Sequence, residues 1–350
     1  MNHSSDTLYF LIPGDIDTLT GGYRYDKRIV QGLRSLNRPV ELRSLSGHFP
    51  APEASDLADA QAQLASLPDG ALTLIDGLAS GVMQEQLALH SDRLRLISLV
   101  HHPLALETGV SPLDADRLKQ SETAALQHVR RVITTSETTA LSLGDYGVPA
   151  DQVFTVCPGT DSAPLATGSG ESALNLLCVA TLTQRKGHAV LLDALARLKE
   201  LPWKLTCAGS HERDVEAAQS LFRQSDSLGL QGRIDFPGEV DEETLRTLYH
   251  QADLFVLASY HEGYGMVLDE AIARGLPIVA SNAGAMAKTV PPGAGLLCAP
   301  GDVEALAEAL RRFLQDADTR SSLQAAAKQA RNELRSWQQA ALEFNEILTW

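Results

Sequence analysis

Short apolar runs alternate along this chain with longer stretches in which apolar residues recur every three or four positions. In the first half the apolar runs cover residues 8–12, 40–45, 71–75, 94–100, 132–135 and 153–156, with helical spacing over 23–36 and 116–128. The runs are of strand length, and the longer periodic stretches read as amphipathic helices. Strand, helix, strand in this order predicts a parallel sheet with helices on both faces. The second half repeats the scheme, with strand-like runs at 176–182, 203–208, 234–236, 254–259 and 277–281. Helical runs there lie at 188–200, 215–228, 242–250, 266–274 and 303–314. Several strands are apolar throughout, as at Leu254-Phe255-Val256-Leu257-Ala258, which suits strands covered on both faces.

Residues 162–172 break the pattern: small, Gly- and Ser-rich, with one proline, they read as a linker. A chain of 350 residues has room for two domains of ordinary size. The sequence therefore predicts an α/β protein of two doubly wound domains joined near residue 167. The last stretch, 322–350, is amphipathic and carries Trp337, Phe344, Ile347 and Leu348 at roughly helical spacing. In open α/β sheets, ligands bind outside the carboxyl ends of the strands. Two such domains facing each other leave a cleft, so chemistry is expected on the loops that follow the strands.

The formal net charge of −15 argues against a general nucleic-acid binder, which needs a basic footprint, and against a polybasic membrane anchor. The four cysteines, Cys157, Cys178, Cys207 and Cys298, form no C-x-x-C pair, and three of them lie in strand-like runs, as small buried hydrophobes do. The run 8–12 ends at Pro13-Gly14, a strand and turn rather than a signal peptide. No stretch approaches the ~18 apolar residues of a membrane span. The expected location is cytoplasmic.

The richest segment runs from His261-Glu262-Gly263-Tyr264-Gly265-Met266 through Glu270 to Gly275-Leu276-Pro277. It follows an apolar strand and opens a helix. Its glycines let backbone approach a ligand closely, and the helix N-terminus, with free N–H groups, suits a diphosphate. Glu262 and Glu270 on one continuous helix would diverge by roughly 80°. With Glu262 on the loop and Glu270 in the helix, both can face one ligand; a capping and a solvated glutamate is the plainer alternative. A second basic segment, Thr183-Gln184-Arg185-Lys186-Gly187-His188, also joins a strand to a helix. Adjacent Arg and Lys there can neutralise a diphosphate, or form an ordinary solvated pair.

Glu262-Gly-Tyr-Gly followed by Glu270-Ala-x-Ala-x-Gly-x-Pro resembles the E-x7-E signature of retaining GT-B glycosyltransferases of family 4 (glycosyl transferases group 1). The resemblance is densest between residues 174 and 315. It implies a GT-B fold of two Rossmann-like domains facing a central cleft, a nucleotide-sugar donor as substrate, and no metal or other cofactor. It divides the chain into an acceptor domain over 1–166, a donor domain over 167–325, and a C-terminal helix over 326–350 packing back on the first domain. By the same resemblance Lys186 contacts the donor diphosphate, aided by Arg185 and by the turn Gly263, Tyr264, Gly265 and Met266. Glu270 binds the ribose and Glu262 the sugar. Gly21-Gly22 resembles the family's first glycine-rich loop, placing Gly22 by the donor phosphate. The pattern G-x-G-x-x-G is absent there, which disfavours NAD. His101, or failing it His102, matches a histidine near the transferred sugar, and Glu107 is a weaker candidate for acceptor hydroxyls. His101, Glu262 and Lys186 are thus the catalytic set.

Two departures stand out. Ala180-Thr181-Leu182 replaces the usual Gly-Arg-Leu, which leaves Arg185 as the candidate guanidinium, and Lys288 stands where relatives often carry an acid. The acceptor is expected to be a sugar or a lipid-linked hydroxyl, in polysaccharide or glycolipid assembly. The acidic balance lends no support to membrane-surface contact. A nucleotide-sugar epimerase and a non-catalytic nucleotide-sugar binder remain alternatives.

Overall fold

The computed structural model describes residues 7–107 and 109–350 and divides into two compact units. The first comprises Met1–Gly159 with Arg335–Trp350, the second Thr160–Leu334.

Six parallel strands form the sheet of the first unit: β1 (Leu8–Pro13), β2 (Val40–Leu45), β3 (Leu72–Asp76), β4 (Arg95–Val100), β5 (Arg131–Thr134) and β6 (Val153–Thr155). Their order is β2-β1-β3-β4-β5-β6. The helices between them are α1 (Gly21–Ser35), α2 (Ala54–Ala65), α3 (Gly77–Ser80), α4 (Gln84–His90), α5 (Pro112–Leu126) and α6 (Glu137–Ser142). β3 is buried at every position, the central-strand pattern its apolar run announces. Thr20 caps α1 through its side chain, which accepts from the Tyr23 amide. That cap starts the helix at the glycine pair.

The second unit holds β7 (Leu174–Val179), β8 (Trp203–Ala208), β9 (Ile234–Gly238), β10 (Leu254–Leu257), β11 (Ile278–Ser281) and β12 (Gly295–Cys298). All pair in parallel, in the order β12-β11-β10-β7-β8-β9. Counted from β7, this is the strand order 3-2-1-4-5-6 of the Rossmann fold. Its helices are α7 (His188–Ala196), α8 (Val215–Ser227), α9 (Glu242–Gln251), α10 (Met266–Ala273), α11 (Met286–Thr289), α12 (Val303–Gln315) and α13 (Ala317–Ala330). Leu191, Trp203, Phe255, Leu257, Ile272 and Phe313 meet in one core between the sheet and these helices.

Two expectations change in the structure. The run 162–172 is not a free tether: Ala166 N–H donates to Arg274 O (2.9 Å), Thr167 N–H to His250 O (2.9 Å), and Ser169 N–H to the Asp253 carboxylate. The Asp253 carboxylate also accepts from Asn175 N–H of β7 at 2.8 Å. The stretch 322–350 is not one helix. α13 stops at Ala330, Leu334 is extended, and a new helix, α14 (Trp337–Ile347), begins. Ser336 dictates the restart: it accepts from Gln339 N–H at 3.2 Å while Gln339 Oε1 accepts from Ser336 N–H at 2.8 Å, a reciprocal cap. α14 packs on α1 within the first unit.

Candidate active site

The second unit has its topological switch point at β7 and β10, which lie side by side while their onward connections run to opposite edges. A crevice opens beyond the carboxyl ends of such a pair. Arg185 and Lys186 follow β7, and Glu262 follows β10. The two loops meet: Tyr260 N–H donates to Arg185 O at 2.7 Å. Gly187, with φ +66°, permits the approach, because a Cβ there would sit 2.0 Å from Ala258 O.

Glu262 is the hub. Lys186 Nζ donates to its Oε1 at 2.7 Å, Ser259 Oγ donates to the same oxygen at 2.6 Å, and Arg185 Nη1 lies 3.5 Å from Oε2. Arg185 also donates to His261 O at 2.9 Å, which braces the loop. Glu262 is 7% exposed. Burial alone would push its carboxyl up, but the Lys186 and Arg185 charges and the bonds from Lys186 and Ser259 outweigh it and hold it below the usual range. Its backbone is pinned as well. Ala285 N–H donates to Glu262 O at 3.0 Å, and Gly284, with φ +59°, leaves no room for a Cβ, which would fall 2.2 Å from that oxygen.

Gly263, Tyr264 and Gly265 form the turn into α10, with Gly265 as cap and Met266 as its first residue. Tyr264 Oη donates to Asp269 Oδ2 at 2.7 Å, and Thr289 Oγ1 donates to Tyr264 O at 2.9 Å. Asp269 is 5% exposed, and burial pushes its carboxyl up to about 6. Glu270 is half-buried and accepts from Tyr249 Oη at 3.0 Å, with the Arg274 guanidinium over the Tyr249 ring. Lys288 lies exposed on α11, in the backbone turn after Ala285.

The first unit has its switch point at β1, whose two neighbours are β2 and β3. His101, just after β4, meets Asp26 of α1 and Asp76 at the end of β3: Nε2 lies 3.1 Å from Asp26 Oδ1 and 3.5 Å from Asp76 Oδ2. Gly22 sits so close that a Cβ would be 3.4 Å from His101 Cδ2. The Tyr25 ring stands edge-on to the imidazole, centroids 5.4 Å apart, and its hydroxyl donates to Val156 O at 2.8 Å. The two carboxylates push the imidazole up, against burial, which alone would lower it; burial pushes Asp26 up. Thr135 and Thr139 hydroxyls donate to His101 O. His102 pairs instead with Glu107, Nε2 to Oε2 3.1 Å. His101 and Gly22 are therefore brought together, and His102 and Glu107 make a pair of their own.

A soft donor set lies in the second unit's core. Cys178 and Cys207 are partners in register on β7 and β8, and Cys178 Sγ is 3.6 Å from His188 Nε2. The three donor atoms lie within 4.8 Å of one another, a set of the kind Zn²⁺ or Cu⁺ accepts. Sequence spacing hides it, because strand register rather than a C-x-x-C motif makes the pair. At the Asp26–His101–Asp76 group, direct hydrogen bonding occupies the imidazole nitrogen that a metal would use.

Residues 166–330 match the family model of glycosyl transferases group 1. This segment belongs to that family. The group 1 segment spans nearly the whole second unit, including Arg185, Lys186, Glu262 and Glu270. The D-inositol 3-phosphate glycosyltransferase of Corynebacterium urealyticum is 32% identical over 209 residues, 57% of this chain and 49% of that protein. A glycogen synthase of Mycobacterium tuberculosis is 35% identical over 217 residues, 58% of this chain and 49% of that protein. The chain spans about half the length of these curated relatives. Among solved structures, a sucrose-phosphate synthase from Thermosynechococcus elongatus superposes with TM-score 0.82 at 23% identity, over 97% of this chain and 98% of that one. Anabaena HepE, solved with UDP-glucose, gives 0.76 at 19%, over 97% and 99%. These likenesses show the fold, two Rossmann-like domains of the GT-B class. Within the group 1 segment, sequence reasoning missed Ser259, Asp269 and Gly284. Ser259 and Asp269 carried no sequence signal beyond their place beside or within the E-x7-E span, and Gly284 lay in the stretch 283–288 that was singled out only for Lys288.

Proposed function

We propose that this chain is a retaining glycosyltransferase that moves a sugar from a nucleoside-diphosphate sugar to a hydroxyl acceptor. The carrying observation is the Lys186–Glu262 pair, assembled from the loops after β7 and β10 beside the N-terminus of α10. A diphosphate that binds here meets Lys186, Arg185 and the free N–H groups at Gly265-Met266. Those groups neutralise the charge that grows on the leaving oxygen, so the reading needs no metal. Glu262 binds sugar hydroxyls and Glu270 the ribose; His101 keeps the sugar contact that the family resemblance implies. In the transfer the bond from C1 to the diphosphate oxygen breaks, and its electron pair leaves with the diphosphate. The acceptor oxygen bonds to C1 on the same face, and its proton passes to a diphosphate oxygen. Sugar hydroxyls are the favoured acceptors, in the cytoplasm, and lipid-linked ones are a narrower case of the same chemistry. The named relatives and the UDP-glucose complex of a protein with the same fold support this reading.

Calorimetric titration with UDP, GDP, ADP, TDP and CMP, then turnover with the matching sugar donor, tests it. Lys186→Ala and Glu262→Ala are each expected to lower turnover by ~10²-fold or more while the protein stays folded. Near-normal turnover in both would remove the assignment. An altered sugar formed without any acceptor would favour an epimerase, and no nucleotide binding at all a non-catalytic role.

A further inference from the structure

Asp26, Asp76 and His101 form a closed arrangement inside the first unit. Asp26 is fully buried and Asp76 is 2% exposed. Both carboxylates address one ring nitrogen, Nε2 of His101, at 3.1 and 3.5 Å. A nitrogen lone pair facing two carboxylate oxygens would be repelled, so Nε2 carries hydrogen. The ring is held in place by the Tyr25 edge and by Gly22, which leave it little room to turn.

The accounting of the acids points to charge. Asp76 spends Oδ1 on the Leu78 amide at 2.8 Å. Asp26 Oδ2 is buried with no hydrogen-bond partner among the described residues. Two buried carboxylates side by side need a countercharge, or one of them must stay protonated. The foremost charged groups acting on the imidazole are Asp26 and Asp76, and those acting on Asp26 are His101 and Asp76. Tyr25, the other titratable group against the ring, is itself raised by burial and so stays neutral. The imidazole is thus the cation within this cluster.

We propose that Asp26 and Asp76 are positioning residues that fix His101 as an imidazolium, so that it serves as a charged hydrogen-bond donor through Nδ1 and not as a proton acceptor. The ligand group it suits is an oxygen, a sugar hydroxyl or a phosphate oxygen, that gains from a charged donor. With its hydrogen on Nε2, an uncharged histidine would offer only an acceptor at Nδ1; this one offers only a donor. The direction in which the carboxylates move the imidazole agrees. The catalytic half of the proposal rests on the transferase reading, and the charge state does not.

Long-range ¹H–¹⁵N correlation spectra of the histidine rings test the charge directly, with His101→Gln identifying the signal. The wild-type His101 ring is expected to stay imidazolium from about pH 6 to about pH 8.5, where an ordinary histidine, with pKa about 6.5, has lost its proton. In Asp26→Asn its midpoint should fall by about one pH unit or more, and Asp76→Asn should move it the same way. A wild-type ring that titrates near the ordinary value overturns the proposal, as does an unmoved midpoint in both variants. Broadening of the His101 signals by stoichiometric Mn²⁺ would also overturn it, by showing that the group holds a cation of its own. Where sugar transfer is measured, Asp26→Asn should lower kcat by ~10-fold or more with little change in donor KM, and should bring in an alkaline fall in kcat at the new midpoint. A moved midpoint with an unchanged kcat profile would refute the donor role. If the chain transfers no sugar, the spectra still decide the charge.

Discussion

Glu122 shows how one residue can make stability depend on pH. It lies on α5, 1% exposed; Oε2 accepts from Leu104 N–H at 3.0 Å, and Oε1 has no partner among the described residues. Burial pushes its carboxyl from 4.5 up to about 7. A carboxyl raised on folding contributes stability that is present below its unfolded pKa and lost as pH rises through the folded one. Glu122 should therefore cost up to ~3 kcal/mol between about pH 4.5 and about pH 7.5. Glu122→Gln keeps the shape and removes the ionisation. Its denaturant midpoint should match wild type near pH 4 and exceed it near pH 8.5; equal midpoints at both would remove this account. At Glu262 the balance goes the other way, because Lys186, Arg185 and Ser259 reach the carboxylate while nothing comparable reaches Glu122.

At the scale of elements, the contact of α1 with α14 sets two ordinary rules against each other. Gly32 lies inside α1, where helix propensity favours alanine by ~1 kcal/mol. A Cβ there would lie 2.4 Å from the Ala341 methyl of α14, a group with no rotamer to yield. Overpacking of this kind costs ~1–3 kcal/mol, so the contact wins. Gly32→Ala should lower urea stability, and a gain would show that the helices separate without penalty. Ser336 makes the complementary case: Ser336→Ala removes the cap that restarts the chain after α13 and should cost ~1 kcal/mol, read in the same melts. The break at Ser336 was partly legible, since Ser-x-x-Gln is a capping pattern. The amphipathic stripe on both sides of it masked the signal.

For the whole molecule, the second unit is contiguous in sequence and the first is not. The first needs residues from both ends of the chain, because Trp337, Ala341 and Phe344 are buried in it. Deleting residues 335–350 should expose the α1 face and lower the melting temperature of the first unit, leaving that of the second within a few degrees. A fragment 160–334 should fold, because its sheet, core and Lys186–Glu262 pair are all internal to it, and on the proposed function it should bind a nucleoside diphosphate. Loss of both units on truncation would contradict this division.

The two doubly wound units, their strands except the edge strand β12 and the loops of interest were legible in the sequence alone; β12, only partly buried, carries no clear apolar run. Strands covered on both faces must be apolar throughout, and a Gly-rich turn between strand and helix is a local pattern. Arg185, Lys186, Glu262 and His101 were legible for that reason, as residues that follow strands. Their partners were not. Lys186 and Glu262, Asp26 and Asp76 with His101, and Cys178 with Cys207 are joined by strand order and register, which place residues far apart in sequence within hydrogen-bond reach, while Ser259 reaches Glu262 across the turn after β10, three residues on. Tertiary structure alone decided which charges are buried and what neutralises them, because desolvation depends on what packs around a group.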